Sequence, residues 1–249
     1  RALSAAEVVE LYELEKPEVT LETGLVAYYP FNGNANDESG NENHGEVRGA
    51  TLAADRSGES DKAYSFNGVN SSIKIKVTDD ISFNDKDNFS YSCWIYAKDN
   101  KNSHIISYYG NKANTFDFDS VIWEGEISGR LAKSDVIRPP RNGDYLDSDY
   151  IIKLNEWYSL HYVYDGNSYK LFMNGREVVS VEKDLATNTL NNTSWLRIGN
   201  YDERSHLSHL NFNGQIDDVR IYNRALSETE VAALYELEQP SVPDDLSPP

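Results

Sequence analysis

From Leu25 to Tyr222 the chain alternates short runs of β-branched and aromatic residues with turn signals, and no helical period separates the runs. Leu25 to Phe31 is the first run. Ser72 to Val77 sets Ile73 and Ile75 against Lys74 and Lys76, the two-residue period of a half-exposed strand. Phe89 to Ala97 and Trp157 to Tyr164 are almost continuously apolar or aromatic, which marks central strands. Tyr164-Asp165-Gly166-Asn167 reads as a hairpin turn, because Asp-Gly supplies the positive φ that tight turns need. Ser168 to Met173 follows, and Asn174-Gly175 turns the chain into Arg176 to Val181. Trp195 to Gly199 and Gly214 to Tyr222 complete the set. A parallel α/β fold needs helices between its strands, so this pattern excludes one and leaves an all-β, two-sheet antiparallel sandwich.

The second constraint is a repeat. Arg1 to Pro17 reads RALSAAEVVELYELEKP, and Arg224 to Pro240 reads RALSETEVAALYELEQP. Each copy offers a Ser N-cap, Ser4 or Ser227, with Glu7 or Glu230 three residues later, which is a capping box. Val8, Leu11 and Leu14 then fall on one helical face, as do Val231, Leu234 and Leu237, and Pro17 and Pro240 stop each helix. One domain does not need the same helix at both ends. The expected division is therefore 1–23 as the tail helix and linker of a preceding repeat, 24–238 as the complete unit, and 239–249 as a Pro- and Asp-rich linker to a following domain. An internal duplication, with both helices packed on one core, accounts for the same pattern.

The chain has 249 residues, enough for a full hydrophobic core without disulfide staples. Its formal net charge of −18 repels nucleic acid and anionic lipid and attracts divalent cations. Cys93, the only cysteine, lies in the apolar run Phe89 to Tyr96 and is expected as a buried free thiol. A single cysteine fits the cytosol and cysteine-poor bacterial surface proteins equally. No apolar run approaches the roughly 18 residues of a membrane-spanning helix, so no direct membrane insertion is expected.

The series GLVAYYPFNGNANDESGNENHG, AYSFNGVNSSIKI, FSYSCWIYA, NEWYSLHYVYDGNSYKLFMNG, LRIGN and FNGQIDDVRIYNRALSETEV resembles the laminin-G-like family of the concanavalin-A-like lectin/glucanase superfamily. The match runs from Gly24 to about Glu238. The resemblance implies a jelly-roll sandwich, here with short flanking terminal helices, frequent calcium binding, and roles in glycan recognition or adhesion. The stretch from Lys98 to Asp149 matches no family motif, and individual function is expected there.

Three candidate sites follow. The loop Asn32 to His44 concentrates Asn34, Asp37, Asn43 and other oxygen-bearing side chains, the donor type that calcium takes, although an ordinary Asx-rich turn has the same composition. It is not an EF-hand, because the sixth position is Asp37 and the twelfth Asn43. Strand parity sets Asp217 on the side of Val219 and Ile221, where a carboxylate needs a metal, backbone N–H groups or a basic side chain. The resemblance implies a structural calcium that ties Asp37 of the first loop to Asp217 of the last strand.

The second site is a glycan surface in the individual region: Trp123 as an aromatic platform, with Tyr109, Arg130, Arg138, Arg141 and Tyr145 around it. Trp94, Trp157 and Trp195 sit in strand motifs and are expected in the core, and Trp123 would join them if it has no ligand. The third is enzymatic. The superfamily includes glucanases with an E-x-D-x-x-E strand motif, and Asp117 to Glu126, DFDSVIWEGE, carries acids without that spacing. His206 and His209 near Asp202 form a weak metal pattern, set against a polar loop.

The expected function is a calcium-stabilised carbohydrate-binding or adhesion module of a multidomain extracellular or cell-surface protein. Its partners are a glycan or cell-surface glycoconjugate and neighbouring repeats, and no nucleic acid. The alternatives are a structural spacer repeat in a surface stalk and a glycoside hydrolase of the same fold.

Overall fold

The computed structural model describes residues 3–4, 7, 20–83, 88–109, 116–133, 145–182, 195–200 and 210–240. Strands are numbered β1 to β15 along the chain. Eight form one antiparallel sheet in the order β13 (Arg176–Glu182), β12 (Ser168–Met173), β11 (Trp157–Tyr164), β6 (Phe89–Ala97), β15 (Asn213–Tyr222), β4 (Ala63–Asn67) and β3 (Thr51–Ala53), with β1 (Leu25–Tyr29) also paired to β15. Seven form the second, in the order β10 (Tyr145–Ile151), β9 (Glu126–Lys133), β8 (Phe116–Trp123), β7 (Ser103–Tyr109), β14 (Trp195–Ile198), β5 (Ser72–Lys76) and β2 (Gly45–Arg48). This is the jelly-roll sandwich. The individual region Lys98 to Asp149 supplies β7 to β10, more than half of the smaller sheet.

The core lies between the sheets. Phe89, Tyr91, Cys93 and Ile95 of β6 and Leu160, Tyr162 and Tyr164 of β11 meet Ile106 and Tyr108 of β7, Phe118 and Ile122 of β8, and Leu196 and Ile198 of β14. Stacked rings fill its centre, with Tyr91 4.7 Å from both Phe118 and Tyr162. β6 and β11 are central neighbours, as their apolar runs require, and Cys93 is a buried free thiol. Asn174-Gly175 is a tight hairpin turn with φ of 50° and 74°. At Gly175 even a Cβ would meet the Tyr235 ring at 3.0 Å.

The helix α1 (Glu228–Glu238) covers the outer face of the larger sheet. Its capping box forms as read, with Glu230 N–H bonded to Ser227 Oγ and Ser227 N–H bonded to Glu230 Oε2. Its buried face is Val231, Leu234 and Glu238, not Leu237, which is 69% exposed. Seven residues are almost two whole turns, whereas six fall about 120° short, so Glu238 follows Val231 where Leu237 cannot.

A second correction concerns Asp217. Asp217 pairs with Trp94, but Arg220 pairs with Ser92, so β15 carries one extra residue there, and Asp218 sits at φ 43°. This β-bulge flips the side-chain alternation. Ile216, Val219 and Ile221 enter the core, and Asp217 turns to the outer face with Trp94. Trp94 is buried, but beneath α1 and not between the sheets, while Trp157 and Trp195 are half-buried.

Candidate functional site

Trp123 ends β8, and Glu124-Gly125 turns the chain back into β9 with both residues at positive φ. Cross-strand partners share a face, so Trp123, its partner Glu126 and Glu126's other partner Ile151 form a row across β8, β9 and β10. Ile122, next to Trp123, faces the core, so that row lies on the outer face of the smaller sheet. There Trp123 is 44% exposed and Ile151 68%. Glu124 is fixed by its N–H, which donates to Asn102 Oδ1 at 2.7 Å. The result is an open row in which Glu126 stands between the Trp123 and Ile151 positions.

Tyr150 precedes Ile151 and belongs to a neighbouring feature. Its ring meets Tyr158 edge-on at 6.3 Å and borders a groove of about 490 Å³ that is also lined by Met173, Asn174, Arg176 and Tyr235. The Asn174 carboxamide is held in place there by accepting from Ser159 N–H at 3.0 Å. Sequence reasoning missed this groove, because its walls come from β10, the β12–β13 turn and α1.

The same outer face carries a polar row. Register aligns Glu46, Lys74, Arg197, Ser107, Asp119, Arg130 and Tyr145 across all seven strands. Lys74, Arg197, Ser107 and Asp119 are buried, and His104 Nδ1 lies 3.7 Å from Asp119 Oδ2. Of the expected glycan residues, Arg130 and Tyr145 thus occupy adjacent register positions, and Tyr109 pairs with Trp195. The side chains of Tyr109, Arg130 and Tyr145 lie outside the described residues, as do Arg138, Arg141, His206, His209 and Asp202.

The proposed metal ligands are held by protein donors. Asp37 Oδ1 accepts from Tyr28 N–H (2.8 Å) and Ser39 N–H (2.9 Å), and Oδ2 accepts from Asn43 N–H (2.9 Å). Asn34 Oδ1 accepts from Asn36 N–H (2.7 Å), and Asn43 Oδ1 from the Thr78 hydroxyl (2.7 Å). Asp217 Oδ1 accepts from Asp218 N–H (2.8 Å), while Arg56 Nη1 pairs with Oδ2. A guanidinium on that oxygen repels a divalent ion, so the arrangement does not fit a calcium shared by Asp37 and Asp217. Among the described residues, no three His, Cys, Asp or Glu side chains converge as a metal site.

What ties the last strand is a buried charge cluster. Arg56 bridges Asp217 and Asp218 (2.6 Å to Asp218) and lies 4.7 Å over the Trp94 ring. Arg220 donates to Glu238 at 2.7 Å and lies 3.8 Å over Tyr28, whose hydroxyl donates to Asp218. Three carboxylates face two guanidiniums. Burial, then the charge of Asp218, pushes Asp217 up to about 8, and burial pushes Glu238 up to about 7 against the opposing pull of Arg220.

A laminin G family profile, described as the concanavalin A-like lectin/glucanases superfamily, matches residues 67–232. No curated protein sequence matches the chain. The binding domain of Paraclostridial Mosquitocidal Protein 1 superposes with a TM-score of 0.66 at 21% identity, covering 87% of this chain and 52% of that one. Domain 4 of AbnA, a GH43 extracellular arabinanase from Geobacillus stearothermophilus in complex with arabinotriose, gives 0.62 at 22% identity, covering 85% and 98%. The ligand binding domain of botulinum neurotoxin serotype D, in complex with N-acetylneuraminic acid, gives 0.64 at 20% identity, covering 87% and 52%. The chain spans about half the length of the two toxin domains. At these identities the likeness is one of fold.

Proposed function

Because the chain belongs to the concanavalin A-like lectin/glucanases superfamily, we propose that it is a carbohydrate-binding module of an extracellular multidomain protein, with a neutral glycan docking at the Trp123 end of the smaller sheet. The observation that carries this reading is the exposure of Trp123. A large aromatic ring left 44% open, in one row with exposed Ile151, holds unfavourable apolar hydration that a pyranose C–H face can relieve. A pure spacer repeat has no use for that arrangement. The carboxylates of Glu124 and Glu126 beside the ring accept hydrogen bonds from sugar hydroxyls and disfavour anionic sugars, in keeping with the net charge of −18. Two structures of similar fold hold arabinotriose and N-acetylneuraminic acid, and one comes from an extracellular enzyme; they support a carbohydrate ligand and the location, and of the two sugars the neutral arabinotriose suits the carboxylates here.

A glycan array, followed by calorimetry on the best hit, tests the reading. Trp123→Ala should weaken binding by about 1–3 kcal/mol, the value of one buried aromatic contact, and leave the fold intact. Equal binding by the folded variant overturns the assignment.

A further inference from the structure

The groove of about 490 Å³ between β10, the β12–β13 turn and α1 has the size of a small-ligand site. Its aromatic lining comes from two of these elements, and each ring is braced. Tyr150 of β10 is 42% exposed and meets Tyr158 edge-on at 6.3 Å. The Tyr158 hydroxyl is itself held, accepting from Lys153 N–H at 3.1 Å and donating to Glu156 Oε2 at 3.2 Å. Tyr235 of α1 stacks on Trp94 at 5.8 Å, nearly parallel, and packs so close to Gly175 that a Cβ there would lie 3.0 Å from the ring. Met173, 4% exposed, adds apolar lining.

The turn and the helix supply the polar lining. Asn174 N–H donates to Ser159 O at 2.9 Å, and Asn174 Oδ1 accepts from Ser159 N–H at 3.0 Å. These two bonds fix the carboxamide and leave it Nδ2, with two N–H donors, to offer a ligand. Arg176 is exposed and adds a planar guanidinium, while exposed Glu236 adds acceptor oxygens. These are the only charged residues of the lining, and their charges cancel.

The combination selects a ligand class. An apolar molecule would cost Asn174, Arg176 and Glu236 their water and return no hydrogen bonds. A simple ion would leave two rings unused. A neutral sugar has C–H faces for the rings and hydroxyls that both donate and accept. We propose that this groove is a second carbohydrate site, taking one or two neutral sugar units, with Tyr150 and Tyr235 as its aromatic contacts and Asn174 Nδ2, Arg176 and Glu236 as its hydrogen-bonding set. The ligand class rests on the carbohydrate reading of the chain, but the site shares no residue with the Trp123 row. Two weak sites on one module multiply its retention on a surface that carries many copies of a sugar.

The test is an NMR titration of the isotope-labelled full chain with methyl glycosides of glucose, galactose, mannose and arabinose and with their common disaccharides. The backbone amides of Asn174, Gly175 and Arg176 and the Asn174 side-chain amide report the groove, and the Trp123 indole N–H reports the other site. At least one sugar should shift the groove signals saturably, in the parent protein and in Trp123→Ala alike. Asn174→Asp keeps the oxygen that faces Ser159 and loses both donors. It and Tyr150→Ala should each weaken groove binding about tenfold, the scale of one lost hydrogen-bonding or aromatic contact. If Tyr150→Ala melts early, Arg176→Gln, at an exposed position, takes its place. Groove signals that no sugar in the panel moves overturn the proposal, as does a response that disappears in Trp123→Ala or keeps full strength in the groove variants. A groove response with an unmoved Trp123 indole overturns the Trp123 reading and leaves this site standing.

Discussion

Arg56→Met asks whether charge staples the last strand. The Arg56 side chain is 9% exposed, touches Asp217 and Asp218, and lies 4.7 Å over Trp94. Methionine keeps most of the stem's packing but leaves Asp217, Asp218 and Glu238 facing Arg220 alone. Removing one partner from a buried ion pair costs about 3–5 kcal/mol, because the other charge stays buried. At about 2–4 °C per kcal/mol for a chain of this size, the expected fall in Tm near pH 9.5, above the folded value of Asp217, is roughly 6–20 °C. The loss should shrink near pH 5. Asp217 already holds its proton up to about 8 in the parent protein, and without the guanidinium it holds it more tightly still. Protonation then removes the unpaired charge that causes the damage. Circular dichroism melts at the two pH values measure both effects, and Arg56→Met combined with Asp217→Asn should recover part of the loss at the higher pH. A fall of less than about 2 °C, or one equal at both pH values, would show that water already solvates the cluster, against the burial argument.

The parent protein should itself lose stability as pH rises from about 4 to 8: a carboxyl whose folded value is raised stabilises at acid pH, and that stability is lost as pH climbs from its ordinary value of 3.8 through the folded value, here about 8 for Asp217. Asp217→Asn should flatten the slope of Tm against pH, and an unchanged slope refutes the assignment. Trp123→Ala should alter unfolding stability by no more than about 0.5 kcal/mol, as expected for an open surface site, and a cooperative loss of several degrees in a melt would mean the ring is structural. Millimolar calcium and excess chelator should leave Tm within about 1 °C of each other, since protein donors already hold Asp37, Asn34, Asn43 and Asp217. A saturable rise of several degrees with calcium would contradict this.

The strands that can be read locally were legible because each burial pattern is set within a few residues. Phe89 to Ala97 and Trp157 to Tyr164 are buried on both faces, covered by the opposite sheet and by α1 or its neighbours. Asn174-Gly175 specifies its turn by backbone sterics alone. The short strands Gly45–Arg48 and Thr51–Ala53 were not legible, since their residues are mostly exposed and only pairing with β5 and β4 makes them strands. Parity failed at Asp217 for a related reason. A bulge inserts one residue without any Gly or Pro to announce it, and every side chain after it changes face. The partner of the displaced carboxylate, Arg56, stands 161 residues away and carries no local signature.

The Trp123 platform shows how the two kinds of information combine. The local part was present in Trp-Glu-Gly-Glu, since Glu124-Gly125 is a two-residue turn and the ring ends a strand where cover is thinnest. The non-local part was not. Whether Trp123 faces the core depends on Ile122 taking that side, and whether it stands alone depends on β10. Asp149 at φ 51° shifts the register between Asp147 and Ile151, and that shift sets Ile151 opposite Glu126, next to the Trp123 position. The apolar surface is therefore assembled by a bulge in one strand and a turn in another, neither of which the core requires. A fold under pressure only to pack would have no reason to build it, so the Trp123–Ile151 row is where a ligand should be sought first.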